Sequence, residues 1–291
     1  MEQDQSQGRD GAQEARETLL NSAARFREEV YRHYRRYGRC FEWRETRDPY
    51  AILVSELMLQ QTQTERVRER YREFMSCFPE FRSLAAAPLH KVLACWQGLG
   101  YNRRARYLKQ IAEIVLARHH GELPADPAEL LELPGIGSAT AGSLAAFAYD
   151  LPVVFIETNI RRAALHWFFS DREHVRDREL LPCLEAALDR DHPREWYYAL
   201  MDYGAALGRS SRDNANRRSR HYTRQPRFEG SRRQRRGQIL RALSGEKAIS
   251  LEQLYSELPE PRQLTDDALE ALEREGFVVR EGADDLLRLS S

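Results

Sequence analysis

Apolar side chains recur three and four residues apart along most of this chain, the spacing of a buried helix face. The series Leu19, Leu20, Ala23, Phe26, Val30 and Tyr34 predicts a helix from about 19 to 37. Similar patterns continue to about residue 207, broken at Pro79, Pro88, Gly98–Gly100, Pro124, Pro134–Gly137, Pro152 and Pro193. Strand-like runs are nearly absent here; Val153 to Ile156 is the one short candidate. Residues 1–17, rich in Gln, Glu, Arg and Gly, lack an apolar period and read as a disordered tail.

Beyond residue 236 the texture changes. Ile239, Leu240 and Leu243 mark a short helix. Ser250 and Gln253 form a capping box that opens a second, and Leu264, Ala268, Leu269 and Leu272 mark a third, stopped by Gly276. Phe277 to Arg280 and Leu286 to Leu289, joined by a Gly- and Asp-containing turn, read as a hairpin. Three helices and a terminal hairpin make a winged-helix pattern.

The chain has 291 residues, about two domains at roughly 150 each. The patterns divide it into the 1–17 tail, an all-α body over 18–208, a 209–236 linker and a 237–291 winged-helix-like domain. No uncharged apolar run approaches the ~18 residues of a membrane span, since Asp150 cuts the best stretch, Leu144 to Ile156. The N-terminus carries Glu2, Asp4 and Asp10 and no apolar signal region. Cys40, Cys77, Cys95 and Cys183 are scattered and form no CxxC pair. A reduced, cytoplasmic, monomeric protein is expected.

Acidic and basic residues balance at 45 each, which argues against a nucleic-acid partner until the distribution is considered. Only Lys91, Lys109 and Lys247 are lysines, so nearly every base is an arginine. Eleven arginines fall within 209–236, among them Arg217, Arg218 and Arg220, against Asp213 and Glu229. Guanidinium forks suit phosphates, although a flexible basic linker would look the same.

Four features carry candidate chemistry. Leu133-Pro134-Gly135-Ile136-Gly137 joins two helical segments, and Gly-x-Gly there lets backbone N–H groups face a phosphate at a helix start, often with a bound cation. An ordinary helix–helix turn needs the same glycines. Glu56 stands in a helix that is apolar on nearly every face. Desolvation there raises a carboxyl towards the range of a general acid, while a buried ion pair with an arginine is the plainer reading. Gln60, Gln61 and Thr62 end that helix as a polar patch, suited to filling a gap in a base stack or to being a solvated helix end. Finally, Glu157 and Asn159 follow a short apolar run, where they either serve chemistry or cap the helix starting near Ile160.

Taken in order, DPYAILVSELMLQQTQ, WQGLGYNRRARYL, LPGIGSATAGSLAAF and FIETNIRRAAL resemble the helix-hairpin-helix DNA glycosylases, and within them adenine glycosylases of the MutY type. The resemblance covers roughly Phe26 to Gly208. It implies a two-lobed all-α fold, duplex DNA with a mispaired or damaged base bound across the cleft, and a base flipped into a pocket. It implies that Glu56 protonates the departing purine, that Glu157 with Asn159 stabilises charge on the deoxyribose, and that Gln61 and the Tyr101 region enter the duplex. Gln60, Thr62, Arg103, Gly135, Ile136 and Gly137 are expected at the same interface, with a monovalent cation at the hairpin.

Departures from the family pattern bear on the reaction. Ala139 stands where bifunctional relatives carry a Schiff-base lysine, so strand cleavage is not expected. Glu157-Thr158-Asn159 replaces aspartate-glycine-asparagine, and Asn102 replaces a tyrosine. The iron–sulfur cysteines that usually follow the last helix are missing, so no cofactor is expected and the arginine segment would take over that DNA contact. The third C-terminal helix carries Asp266, Asp267, Glu270, Glu273 and Glu275 against Arg274, which argues against its entering a groove. The reading is a monofunctional glycosylase, with adenine in a mismatch as the favoured base. Uracil or thymine mismatch excision, or a non-catalytic DNA-binding protein on this scaffold, are the alternatives.

Overall fold

In chain order the helices are α1 (Glu2–Tyr37), α2 (Glu42–Glu45), α3 (Pro49–Leu59), α4 (Thr64–Cys77), α5 (Phe81–Ala86), α6 (Leu89–Cys95), α7 (Arg103–Arg118) and α8 (Pro127–Leu131). They continue as α9 (Ser138–Tyr149), α10 (Thr158–Phe168), α11 (Asp177–Ala187), α12 (Pro193–Ser210), α13 (Arg232–Ala242), α14 (Leu251–Glu257) and α15 (Arg262–Arg274). A 3₁₀ turn spans Ala215–Arg218, and the strands β1 (Val278–Glu281) and β2 (Leu286–Leu289) close the chain. The structure is a computed structural model that describes residues 2–210, 214–224, 227–245, 248–282 and 286–290, with side chains from Gln13 onward except Ser210.

The chain forms two compact units. The first comprises Met1–Arg47, Ala125–Ala128 and Gly137–Arg224; the second comprises Asp48–Pro124, Glu129–Ile136 and Gln225–Ser291. In the first, α1 packs on α11 and α12, and α12 packs on α10. The Phe26 ring centres this core, within 5.1–6.3 Å of the rings of Trp167, Phe168, Trp196 and Tyr203. Full burial of such a ring contributes about 1.5–3 kcal/mol. Gly204 lets α12 approach α10, because a Cβ there would lie 2.1 Å from the Asn159 carbonyl oxygen.

Asp202 is buried in the first unit, where it accepts from Arg39 Nε (2.7 Å) and N (2.8 Å) and from both Arg44 Nη atoms (3.0 and 2.8 Å). Burial pushes its carboxyl up, and Arg44 and Arg39 more than offset this, leaving it below the usual carboxylate range.

In the second unit α3 is buried nearly all round. The C-terminal helices and hairpin belong to this same unit and do not form a separate body. β1 and β2 pair antiparallel with Val278 opposite Leu289, and Ile249 bridges to Leu287. The capping box at Ser250 forms as the sequence predicts. Glu275, at the end of α15, receives Arg103 (2.7 Å) and Arg236 (2.7 Å), and the Arg106 guanidinium lies over the Phe277 ring.

Three expectations need correction. Residues 13–17 of the expected disordered tail lie within α1, and residues 1–12 lie outside the described side chains. Gln13–Thr18 are exposed there, so local bonds such as Thr18 Oγ1 to the Glu14 carbonyl (2.9 Å) accompany a helix with no apolar stripe. Val153–Ile156 forms no strand; Phe155 packs on the Tyr197 ring, and the Tyr197 hydroxyl donates to the Val153 carbonyl (2.6 Å). The 209–236 linker is partly helical: Arg235 is buried against Thr265, and Arg236 pairs with Glu275.

Candidate functional site

Asp48 caps α3 by accepting from the Tyr50 N–H (3.0 Å), with Pro49 at the first helical position. Glu56 is the one charged residue of this helix and is half-buried between the buried Ser55 and Leu57. Beyond Leu59 the chain turns sharply. Gln61 takes φ 55°, a left-handed conformation costing a non-glycine residue about 1–2 kcal/mol. Gln60 Nε2 reaches the Gly135 carbonyl (3.4 Å), linking this loop to the hairpin.

A residue absent from the sequence-based assignment holds the arrangement together. Arg104, buried on α7, donates through Nη1 to the carbonyls of Leu57 (2.8 Å), Met58 (2.7 Å) and Gln60 (2.6 Å). Its Nη2 donates to Thr62 Oγ1 (3.0 Å) and to the carbonyls of Leu99 (3.2 Å) and Gly100 (2.9 Å). It thus satisfies the free carbonyl end of the Glu56 helix and fixes the 60–62 loop to the 99–101 turn. Burial lowers its guanidinium to about 10, so it remains charged at neutral pH. The signal was present in the sequence: Arg104 shares a helical stripe with Leu108, Ile111 and Val115, all buried.

Tyr101, at φ 49°, has the guanidiniums of Arg104 (5.4 Å) and Arg233 (5.2 Å) over its ring, and Arg233 donates to its hydroxyl. Arg103 is largely exposed but pairs with Glu275. In the hairpin, Gly135 has φ 78°, and a Cβ there would lie 2.4 Å from Tyr107 Cδ2. The Ile136 side chain is buried and its N–H donates to the Leu133 carbonyl (3.2 Å), so Ile136 anchors the turn and does not offer its N–H to a ligand. Gly137 is exposed at the N-cap of α9, which has no side-chain cap. Ala139 occupies the first turn of that helix.

Glu157 is the N-cap of α10, accepting from the N–H groups of Asn159 (2.7 Å) and Ile160 (2.8 Å) and from Asn159 Nδ2 (3.3 Å). Burial pushes its carboxyl up, against the pull of these N–H groups and of Arg162 and Arg161. Arg162 also escaped the sequence reading; it donates to Asn159 Oδ1 (2.9 Å) and to the Gly204 carbonyl (2.8 Å). Asn216 Nδ2 donates to the Thr158 carbonyl (3.1 Å), seating the 3₁₀ turn beside Glu157. That turn and its exit carry exposed Arg217, half-buried Arg218 and exposed Arg220.

The second unit therefore gathers Glu56, Gln60, Gln61, Thr62, Tyr101, Arg103, Gly135 and Ile136. The first holds Gly137, Glu157, Asn159, Arg217, Arg218 and Arg220. Among the described residues, no three His, Cys, Asp or Glu side chains converge where a metal would bind. No described helix is long and apolar enough to cross a membrane.

The profile of the HhH-GPD superfamily base excision DNA repair proteins matches residues 54–181. The thymine/uracil-DNA glycosylase of Pyrobaculum aerophilum is 31% identical over 186 residues, 62% of this chain and 81% of that protein. The chain belongs to the HhH-GPD superfamily. Adenine DNA glycosylases are also among its relatives: that of Buchnera aphidicola subsp. Baizongia pistaciae is 32% identical over 193 residues, 66% of this chain and 55% of that protein. That of Mycobacterium tuberculosis (strain CDC 1551 / Oshkosh) is 37% identical over 184 residues, 60% of this chain and 59% of that protein. The chain thus spans little more than half the length of these adenine glycosylases. Of solved structures, a thermostable thymine-DNA glycosylase superposes with TM-score 0.56 at 22% identity, covering 70% of this chain and 92% of that one. A trapped endonuclease III–DNA covalent intermediate gives 0.53 at 19%, covering 62% and 83%. The likeness establishes the helix-hairpin-helix glycosylase fold. The superfamily match runs from α3 into α11 and so includes Glu56, the 60–62 loop, the hairpin and Glu157.

Proposed function

We propose that this chain is a monofunctional DNA glycosylase of base excision repair, acting on a mispaired base in duplex DNA and favouring adenine. The observation that carries the proposal is Glu56, the lone charge on a buried helix whose carbonyl end Arg104 ties to the polar 60–62 loop. A half-buried carboxyl held this rigidly suits protonation of a leaving base. Glu157, besides capping α10, offers negative charge for an oxocarbenium-like sugar, with Asn159 oriented by Arg162. The uncapped, exposed start of α9 and the arginines at 217–220 suit phosphates.

Ala139 offers no amine for a Schiff base, which supports release of an intact abasic strand. The cysteines do not fit an iron–sulfur cluster: two lie in each unit, and none occurs after Cys183. A second reading, thymine or uracil excision, is favoured by the share of the relative's own length that the match covers, 81% of the thymine/uracil relative against 55% of the Buchnera adenine one. Release of base from duplexes carrying A, T or U opposite each common base and 8-oxoguanine, with a borohydride-trapping arm, tests both. Release of adenine alone supports the first reading and release of thymine or uracil the second. No release from any duplex overturns both, and efficient trapping overturns the monofunctional assignment.

A further inference from the structure

Within the second unit, α4 ends at Cys77 and α6 ends at Cys95, and the two helices pack on each other. Phe74 lies one turn before Cys77, and its ring meets that of Trp96, the residue after Cys95, edge to face at 5.7 Å. Trp96 is fully buried there, with Nε1 donating to the Gly100 carbonyl (3.1 Å) and the Arg104 guanidinium 5.4 Å from its ring. This ring contact holds the two helix ends together, and the Cys77 and Cys95 thiols hydrogen-bond each other. Cys77 is exposed and Cys95 is half-buried.

Two touching thiols have a chemistry that a single one lacks. Burial, the contact with Cys77 and the Glu73 carboxylate push the Cys95 thiol up to about 12. Cys95 therefore keeps its proton at neutral pH and reacts poorly on its own. Cys77 is the sulfur that solvent reaches. Its attack on hydrogen peroxide breaks the O–O bond, leaves a sulfenic acid on Cys77 and releases one water. Cys95, already in contact, then displaces the sulfenic hydroxyl: the S–S bond forms, the S–O bond breaks, and the Cys95 proton leaves in a second water. The two sulfurs lose two electrons, and the peroxide gains them.

We propose that Cys77 and Cys95 form a reversible disulfide in the presence of peroxide, stapling the end of α4 to the end of α6. The bond closes a loop that contains α5 and fastens the segment that carries Trp96, on which Arg104 rests while it braces the Glu56 helix. A cross-link restricts the unfolded chain, so the oxidised protein is the more stable form. In a reducing compartment such a pair stays a dithiol and closes only transiently. The other two cysteines lie in the first unit, where Cys183 gives its S–H to the Glu179 carbonyl (3.9 Å). The staple forms whether or not the chain excises a base.

The test treats the full chain, reduced and freed of reductant, with hydrogen peroxide, then blocks free thiols by alkylation and reads intact mass, tryptic peptides and thermal melting. The oxidised chain should take up alkyl groups at only two of its four cysteines, with segments 73–82 and 92–103 linked, and dithiothreitol should restore the other two. Its melting temperature should rise by roughly 5 °C. Cys77→Ser and Cys95→Ala should each lose both the link and the rise, while Cys40→Ser keeps both. Cys77 is exposed, so Cys77→Ser stays decisive where Cys95→Ala fails to fold. The proposal is overturned if peroxide leaves both thiols open to alkylation, if it joins either to Cys40, to Cys183 or to a second chain, or if the link forms without raising the melting temperature.

Discussion

Arg27, Arg104 and Arg194 each aim a guanidinium at the carbonyl end of a helix. Arg27 serves Ala186, Ala187 and Leu188 at the end of α11, Arg104 serves α3, and Arg194 donates to Phe147 near the end of α9 (2.6 Å). The arginine richness that reads as phosphate affinity in the sequence is therefore partly structural, and register with a core stripe is the legible sign. Replacing Arg104 by Met should lower stability by about 3 kcal/mol or more, because several buried carbonyls lose their donor at once. Lys should recover little, since one ammonium cannot span the same acceptors. Thermal melts check both, and a variant melting with the wild type would refute the assignment. Asp202→Asn should cost about 3–5 kcal/mol at neutral pH by leaving Arg39 and Arg44 without their carboxylate. Because the folded carboxyl lies below its unfolded range, its stabilisation is complete above about pH 4 and is lost as pH falls through the folded value. The stability gap between wild type and variant should therefore close on acidification, as urea titrations at several pH values would measure.

Helix periodicity located the elements well wherever an apolar stripe packs against a neighbour, as in α1 from Ala23 to Val30 and in α13–α15. It failed where local sequence and burial diverge. Val153–Ile156 has strand composition but pairs with no strand among the described residues, and side chains hold it instead. In the hairpin the two glycines do different work. Gly135→Ala should destabilise by about 1–3 kcal/mol through its positive φ and its clash with Tyr107. Gly137→Ala meets no atom within 4 Å and should stay within about 1 kcal/mol of wild type. Equal melting temperatures for the two variants would contradict this division of roles.

At the scale of the whole molecule, motif order made the superfamily legible, but the grouping of the C-terminal elements with the α3–α7 helices was not. That grouping rests on pairs distant in sequence, such as Arg103 with Glu275 and Arg233 with Tyr101, which no local pattern announces. Glu56 and the hairpin were legible because each breaks a local rule: a charge in an apolar helix and glycines between helices. The purified protein should be colourless and free of stoichiometric iron by metal analysis; visible absorbance with bound iron would contradict the cysteine argument. The most direct test of the account is single-turnover base release by Glu56→Gln alongside its affinity for an abasic-analogue duplex. The account predicts release slowed by about 10²- to 10⁴-fold with affinity held within a few fold, because shape and hydrogen bonding remain while the proton donor is gone. A Glu56→Gln protein that releases base at the wild-type rate would contradict it.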